Sequence, residues 1–338
     1  MSTKPHPLLL PTSFEKRIRK NASSMYVDAG TGNTKLIVYR INYWEDDPQN
    51  KSTRVCAQDQ GQCEPLLGND HLDQFADTIM DRYFESFADK VVLGATEWRR
   101  KHKPEDPHIE EFCSTLSNNN VDIVQLDGKL EAAYEAIAVK FALDMYSVHT
   151  NQPMGCEYYV SGGGGSLQFG NLHEQGAKSS FSIKVKHFTD QIWNHCKQGH
   201  FYTTGFDTHC NTLHDMFCAL PKITKGTLLC MGSFFYSAKE VRMHNKAHEY
   251  KLYDIKRVLL EMNAQLKAQV RQCCYFLHNA PTMVSKKDVR AYVALKVNYT
   301  FLNTIVRDDT RILFKRDWAI GKNTLRTTWT LGHFLSTL

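Results

Sequence analysis

Residues 25–41 read MYVDAGTGNTKLIVYRI, and residues 158–169 read YYVSGGGGSLQF. Each string is an apolar, β-rich run, a glycine-bearing turn and a second apolar run. In the first, Ala29-Gly-Thr-Gly-Asn-Thr34 supplies the glycine and asparagine that tight hairpin turns need for their positive φ angles. In the second, Gly162 to Gly165 separates Tyr158-Tyr-Val160 from Leu167-Gln-Phe169. The turns also carry Thr31, Asn33 and Ser166, whose side chains donate hydrogen bonds. Glycine lets backbone N–H groups come close to an anion. One such turn is an ordinary hairpin. Two of them, Asp28–Thr34 and Ser161–Gln168, can grip phosphate groups from opposite sides.

The common nucleotide fingerprints do not account for these glycines. A P-loop needs Gly-x-x-x-x-Gly-Lys-[Ser/Thr], which neither Gly30-Thr-Gly-Asn-Thr-Lys35 nor Gly321-Lys-Asn-Thr324 supplies. A dinucleotide fold needs glycine where the second run has Leu167 or Gln168. A serine nucleophile elbow is excluded because Val160, not glycine-x, precedes Ser161.

Outward from the two turns, Phe75 to Phe87 has helical spacing, Val91-Val-Leu-Gly94 reads as a short buried strand, and residues 120–126 as another. Leu130 to Tyr146 is a run of good helix formers. Asp254 is placed to cap a helix with the apolar face Ile255, Leu259, Met262, Leu266 and Val270, and a further helix covers Asp288 to Val306. The polar stretch Trp44 to Asp70 reads as loop. No short repeat or low-complexity linker interrupts the chain.

The 338 residues predict about two domains. Hydrophobic residues at 42% and charged residues at 23% are ordinary globular usage and exclude a disordered or fibrous chain. A net charge of +5 is too small and dispersed to argue for nucleic acid. No apolar run is long enough for a membrane span. Leu8 to Leu10 is far too short for a signal-peptide core, so secretion is not supported. The 10 cysteines contain no Cys-x-x-Cys pair and define no disulfide framework; adjacent Cys273 and Cys274 read as core thiols. The sequons at Asn21 and Asn298 matter only in a secretory setting. His244 and His248 have the i, i+4 spacing of a helix metal pair, without the glutamate of the protease motif, and read as a surface pair.

Four segments together resemble the apyrases, or nucleoside triphosphate diphosphohydrolases, of the actin-like ATPase superfamily. Tyr26-Val-Asp-Ala-Gly-Thr-Gly-Asn-Thr-Lys-Leu36 resembles the first signature, and Leu93-Gly-Ala-Thr96 with Arg100 the second. Gly128-Lys-Leu-Glu-Ala-Ala-Tyr134 is similar to the third, and Ser161 to Gln168 to the fourth. Weaker echoes follow in family order at His200–Phe206, Gly232–Tyr236 and Thr328-Trp-Thr-Leu-Gly332. The resemblance therefore spans nearly the whole chain.

That resemblance implies an α/β protein of two ribonuclease-H-like domains with a cleft between them. The boundaries it implies are 21–127 plus 316–338 for the first domain and 128–315 for the second. It implies hydrolysis of nucleoside tri- or diphosphates with Mg2+ or Ca2+. Asp28 would hold metal-bound water. Thr31, Gly32 and Asn33 would bind phosphate on the first turn, and Gly163, Gly164, Gly165 and Ser166 on the second. Thr96 and Arg100 would line the phosphate path, Glu131 would be the general base, and Gln168 would orient the attacking water. Phe234 and Tyr236 are the aromatic candidates beside a base. The family implies a secretory setting, whereas the missing signal core points to cytosol. Two departures weigh against turnover. Ser161 replaces an acidic residue of the fourth signature, and Glu97-Trp98 replaces a small pair in the second. A nucleotide-binding protein without turnover, and a polyphosphate or guanosine-pentaphosphate phosphatase, are the alternatives.

Overall fold

Strand β1, Ala22–Ala29, alternates its side chains between two faces, as the two-residue period of a strand dictates. Met25, Val27 and Ala29 enter one hydrophobic cluster, while the fully buried Tyr26 lies on the other face. The computed structural model describes residues 22–29, 34–42, 54–63, 72–95, 107–173, 178–245, 252–276, 284–307, 310–315, 317–320 and 323–338. The chain divides into two units, Met1–Gly155 with Asp317–Leu338, and Cys156–Arg316.

In the first unit β1 pairs antiparallel with β2, Thr34–Asn42, in the register Asp28↔Lys35, and β2 pairs with β3, Arg54–Cys63. On its other side β1 runs parallel to β4, Lys90–Ala95, which runs parallel to β5, Val121–Gln125. The order is β3-β2-β1-β4-β5. Helices α1, Leu72–Ser86, and α2, Pro107–Asn118, bury Phe75, Ile79, Phe112 and Leu116 against the Met25 face. Helix α3, Gly128–Thr150, starts at Asp127, whose carboxylate accepts from the Leu130 amide at 2.7 Å.

The second unit repeats this plan. Strands β6, Tyr158–Gly162, β7, Ser166–Asn171, and β8, Ser179–Ser182, form an antiparallel run. Strands β9, Gly226–Gly232, and β10, Thr310–Phe314, extend β6 in parallel, giving the order β10-β9-β6-β7-β8. Position for position, β6 stands where β1 stands in the first sheet. Its helices are α4, Val185–Lys197, α5, Thr204–Cys218, α6, Ser233–Asn245, α7, Leu252–Phe276, and α8, Lys286–Ile305. Helix α8 is capped by Ser285 and Asp288 in a reciprocal box. Asp254 lies in the first turn of α7 instead of capping it.

The chain then returns to the first unit through β11, Asp317–Ile320, β12, Asn323–Arg326, and α9, Trp329–Ser336. Helix α9 packs on α3 so closely that a Cβ at Gly332 would lie 1.8 Å from the Tyr134 carbonyl oxygen. Helix α3 thereby falls in the first unit, whereas the sequence reading opens the second domain at residue 128. The stretch read as loop, 44–70, contains β3, a polar strand at the edge of the sheet, paired with β2. No described helix is long and apolar enough to cross a membrane. Cys156, Cys196, Cys210, Cys218 and Cys230 are free thiols.

Candidate functional site

Asp28 is the last residue but one of β1, on the same face as Tyr26. Its Oδ1 accepts from the indole N–H of Trp329 at 2.9 Å, and Lys35 Nζ lies 3.8 Å from its Oδ2. Trp329 opens α9 and reaches Asp28 because the β4 residue in register with Asp28 is Gly94. A Cβ on Gly94 would fall 1.9 Å from Cη2 of the indole. The glycine of the Leu-Gly-Ala-Thr string is therefore a seat for tryptophan. Tyr26 packs edge-on to Trp329, and its hydroxyl lies 2.7 Å from Nδ1 of His333, one turn further along α9.

Glu131 sits in the first turn of α3, where the helix dipole favours a negative charge. It is half-buried, and its backbone N–H donates to the Asp127 carbonyl at 3.0 Å. Ala132 behind it is fully buried, and Tyr134 backs onto Gly332 and the His333 ring. First, second, third and closing sequence motifs thus meet in one unit, joined by Trp329 and Gly332.

In the second unit Ser161 pairs with Gln168 across β6 and β7, the register that Asp28 and Lys35 hold in the first unit. Gly163 N–H closes the turn on the Ser166 carbonyl at 2.9 Å. The Gly165 carbonyl accepts from Ile183 and Lys184, and the Gly164 carbonyl from Lys186 at the start of α4. With its carbonyls so occupied, the turn has the Gly164 and Gly165 N–H groups to offer an anion. Gln168 is 2% exposed and donates from Nε2 to Ser166 Oγ at 2.7 Å.

Beneath the turn, Gly232 has φ +61°, and a Cβ there would lie 2.2 Å from the Gly162 carbonyl oxygen. A Cβ on Gly162 would in turn lie 2.3 Å from Ser233 Oγ. Ser233 donates to Asn298 Oδ1 at 3.2 Å, and Asn298 donates from Nδ2 to Ser237 at 2.7 Å. This buried polar chain, unread in the sequence, supports the start of the turn from α6 and α8. Asn298 is 1% exposed, so its sequon is closed in the folded chain.

Thr31, Gly32, Asn33, Thr96 and Arg100 lie outside the described residues, as do Glu97-Trp98, and the His244 and His248 side chains. Phe234 is fully buried against Phe301 and is not available to a base; Tyr236 is exposed. Among the described residues no three histidine, cysteine or acidic side chains converge on a metal position. Among the described residues beside Trp329 the donor is the Asp28 carboxylate, and a carboxylate suits a hard cation that keeps its waters and takes other ligands from phosphate.

No protein-family model and no curated protein sequence matches the chain. Solved structures do. The PPX-GPPA enzyme of Aquifex aeolicus is 13% identical over 94% of this chain and 100% of its own, with a TM-score of 0.58. An exopolyphosphatase-like protein is 16% identical over 94% and 98%, with a TM-score of 0.54. Nucleoside triphosphate hydrolase from Neospora caninum is 11% identical over 96% and 94%, with a TM-score of 0.51. At these identities the likeness is one of fold, and it establishes the expected α/β architecture of the actin-like ATPase type.

Proposed function

We propose that the chain hydrolyses the terminal phosphoanhydride of nucleoside tri- or diphosphates with a divalent cation, Mg2+ or Ca2+. The observation that carries this reading is Asp28, a carboxylate held by Trp329 at the end of β1, two residues before Gly30 in the sequence. The fold neighbours support it, since their names describe phosphate-chain and nucleoside triphosphate hydrolases.

In this reading Asp28 would hold the cation, which would supply neutralisation of phosphate charge. The Gly164 and Gly165 amides hold phosphate oxygens on the second turn. Glu131 takes a proton from the attacking water as its oxygen bonds to the terminal phosphorus. The bridging P–O bond breaks, and its electron pair leaves with the shortened nucleotide. No covalent enzyme intermediate forms.

Two alternatives each have an observation behind them. Ser161 occupies the register place that Asp28 holds in the first unit, which favours nucleotide binding without turnover. The Ppx/GppA neighbours favour an inorganic polyphosphate or guanosine pentaphosphate as substrate.

Phosphate release from ATP, ADP, GTP, UDP and inorganic polyphosphate, with Mg2+ or Ca2+, separates these readings when run beside Glu131→Gln and Ser161→Asp. Release from nucleotides that is lost in Glu131→Gln supports the main proposal. An inactive parent that binds nucleotide and is activated by Ser161→Asp supports the binding protein. Neither turnover nor nucleotide binding overturns both.

A further inference from the structure

We infer that Trp329 is a positioning residue for the divalent cation: its indole N–H fixes Asp28 Oδ1 and leaves Oδ2 as the face offered to the metal's waters. The inference rests on the proposed role of Asp28.

Four features converge on this one side chain. The indole N–H donates to Asp28 Oδ1 at 2.9 Å, in a residue only 3% exposed. A buried tryptophan needs a partner for its N–H, and a carboxylate is a stronger acceptor than a carbonyl. Gly94, in register with Asp28, is kept free of a Cβ by the ring, whose Cη2 and Cζ2 would lie 1.9 and 2.2 Å from one. Tyr26 stands edge-on to the ring at 6.2 Å and 76°. Gly332 lets α9 settle on the Tyr134 backbone, which sets the height at which Trp329 enters. Ring, N–H and helix are therefore all placed, and the carboxylate cannot rotate without losing the bond.

On the other oxygen, Lys35 is a loose partner: its ammonium is 3.8 Å away on a side chain 46% exposed. A divalent ion carrying ordered waters outcompetes such a screened contact. The arrangement separates a fixed oxygen from an exchangeable one. A carboxylate free to rotate presents either oxygen, and losing an outer partner that orients a ligand typically weakens metal affinity about 10- to 100-fold.

The test uses the full chain, saturated with the non-hydrolysable analogue β,γ-methylene-ATP, and Mn2+ as the probe, followed by its paramagnetic resonance. Trp329→Phe keeps an aromatic ring and removes the donor. The expected result is a Mn2+ dissociation constant raised about 10- to 100-fold, with analogue affinity in the absence of metal unchanged. Equal Mn2+ affinity in a folded Trp329→Phe protein overturns the inference and leaves the proposed function standing. A parent that binds the analogue but no Mn2+ at millimolar concentration overturns the cation role of Asp28 and the inference with it. Should Trp329→Phe fail to fold, the parent labelled at its tryptophan indole nitrogens decides. One of the 5 indole N–H signals shifts on adding Mg2+ and stays fixed in Asp28→Asn if the inference holds. Five unmoved signals in a Mg2+-loaded parent overturn it.

Discussion

Adding a methyl group at Gly94 forces a collision with Trp329, and the way in which the cost is relieved tests the geometry of the first unit. The added Cβ would lie 1.9 Å from Cη2 and 2.2 Å from Cζ2, against the ordinary contact of 3.4 Å or more. Relief needs the ring to move by more than an ångström, yet Tyr26 packs edge-on to it and Asp28 holds its N–H. Overpacking of this kind costs about 1–3 kcal/mol. Displacement also breaks the bond to Asp28, and a hydrogen bond to a charged group contributes about 1.5–3 kcal/mol. Gly94→Ala is therefore expected to destabilise the first unit by about 2.5–6 kcal/mol. The atoms struck belong to the six-membered part of the indole, which phenylalanine does not reach. In the double variant Gly94→Ala with Trp329→Phe, the collision is gone and the lost bond is counted once. The pair should cost less than the sum of its members by the collision plus one bond, about 2.5–6 kcal/mol, well beyond the usual scatter of additivity. Urea denaturation followed by circular dichroism on parent, singles and double provides the cycle. Strictly additive costs would refute the packing argument, as would a Gly94→Ala protein as stable as the parent.

Two pH effects of opposite sign should be separable by substitution. Burial raises the Asp144 carboxyl to about 6, with Lys140 opposing, so the folded state resists its ionisation and stability falls as pH rises from about 4 to about 6. Discounted for its partial exposure, the effect is about 1–2 kcal/mol, and Asp144→Asn should raise the melting temperature at pH 7 but not at pH 4. Burial instead pushes the His333 imidazole down, with Lys90 adding to the effect and Asp122 opposing it. The stability it contributes is whole above its unfolded value of about 6.5 and is lost as pH falls below that, a slope that His333→Gln should flatten in thermal melts between pH 7.5 and 5. Asn298→Ala strips partners from Ser233 and Ser237 and opens a small void, and should destabilise the second unit by about 2–4 kcal/mol in urea titrations. An effect under about 0.5 kcal/mol would show that the buried polar chain is not holding the turn.

Local pattern carried much of the fold. The hairpin of β1 and β2, the apolar runs of β4 to β7 and the long helices α3 and α8 are all visible as periodicity or turn chemistry. Strand β3 is not, because RVCAQDQGQC lies at a sheet edge with Cys56, Gln58 and Asp59 exposed, so no buried face imposes an apolar alternation. The placement of α3 in the first unit is likewise illegible locally, since it depends on Gly332 meeting Tyr134 across almost 200 residues. The site follows the same division. Asp28 and the Ser161–Gln168 turn announce themselves through glycine and strand pattern. Trp329 stands in a quoted motif, but its partner Asp28 is 301 residues away, and strand alternation gives only the face on which the two could meet. Ser233 and Asn298 resemble any surface serine and asparagine until α6 and α8 are packed together.

The order in which synthesis completes the two units is the reverse of what their numbering suggests. The second unit is one uninterrupted segment, Cys156–Arg316, so synthesis delivers all of it together. The first unit begins earlier but waits for Asp317–Leu338, which bring buried Trp318, Trp329 and Phe334. Until then the aromatic face of β1 and β2, with Tyr26 and Tyr39, has no cover from α9. A nascent chain halted before α9 therefore holds a finished second unit beside an apolar sheet face, and that face is where chaperones would be expected to engage it during translation.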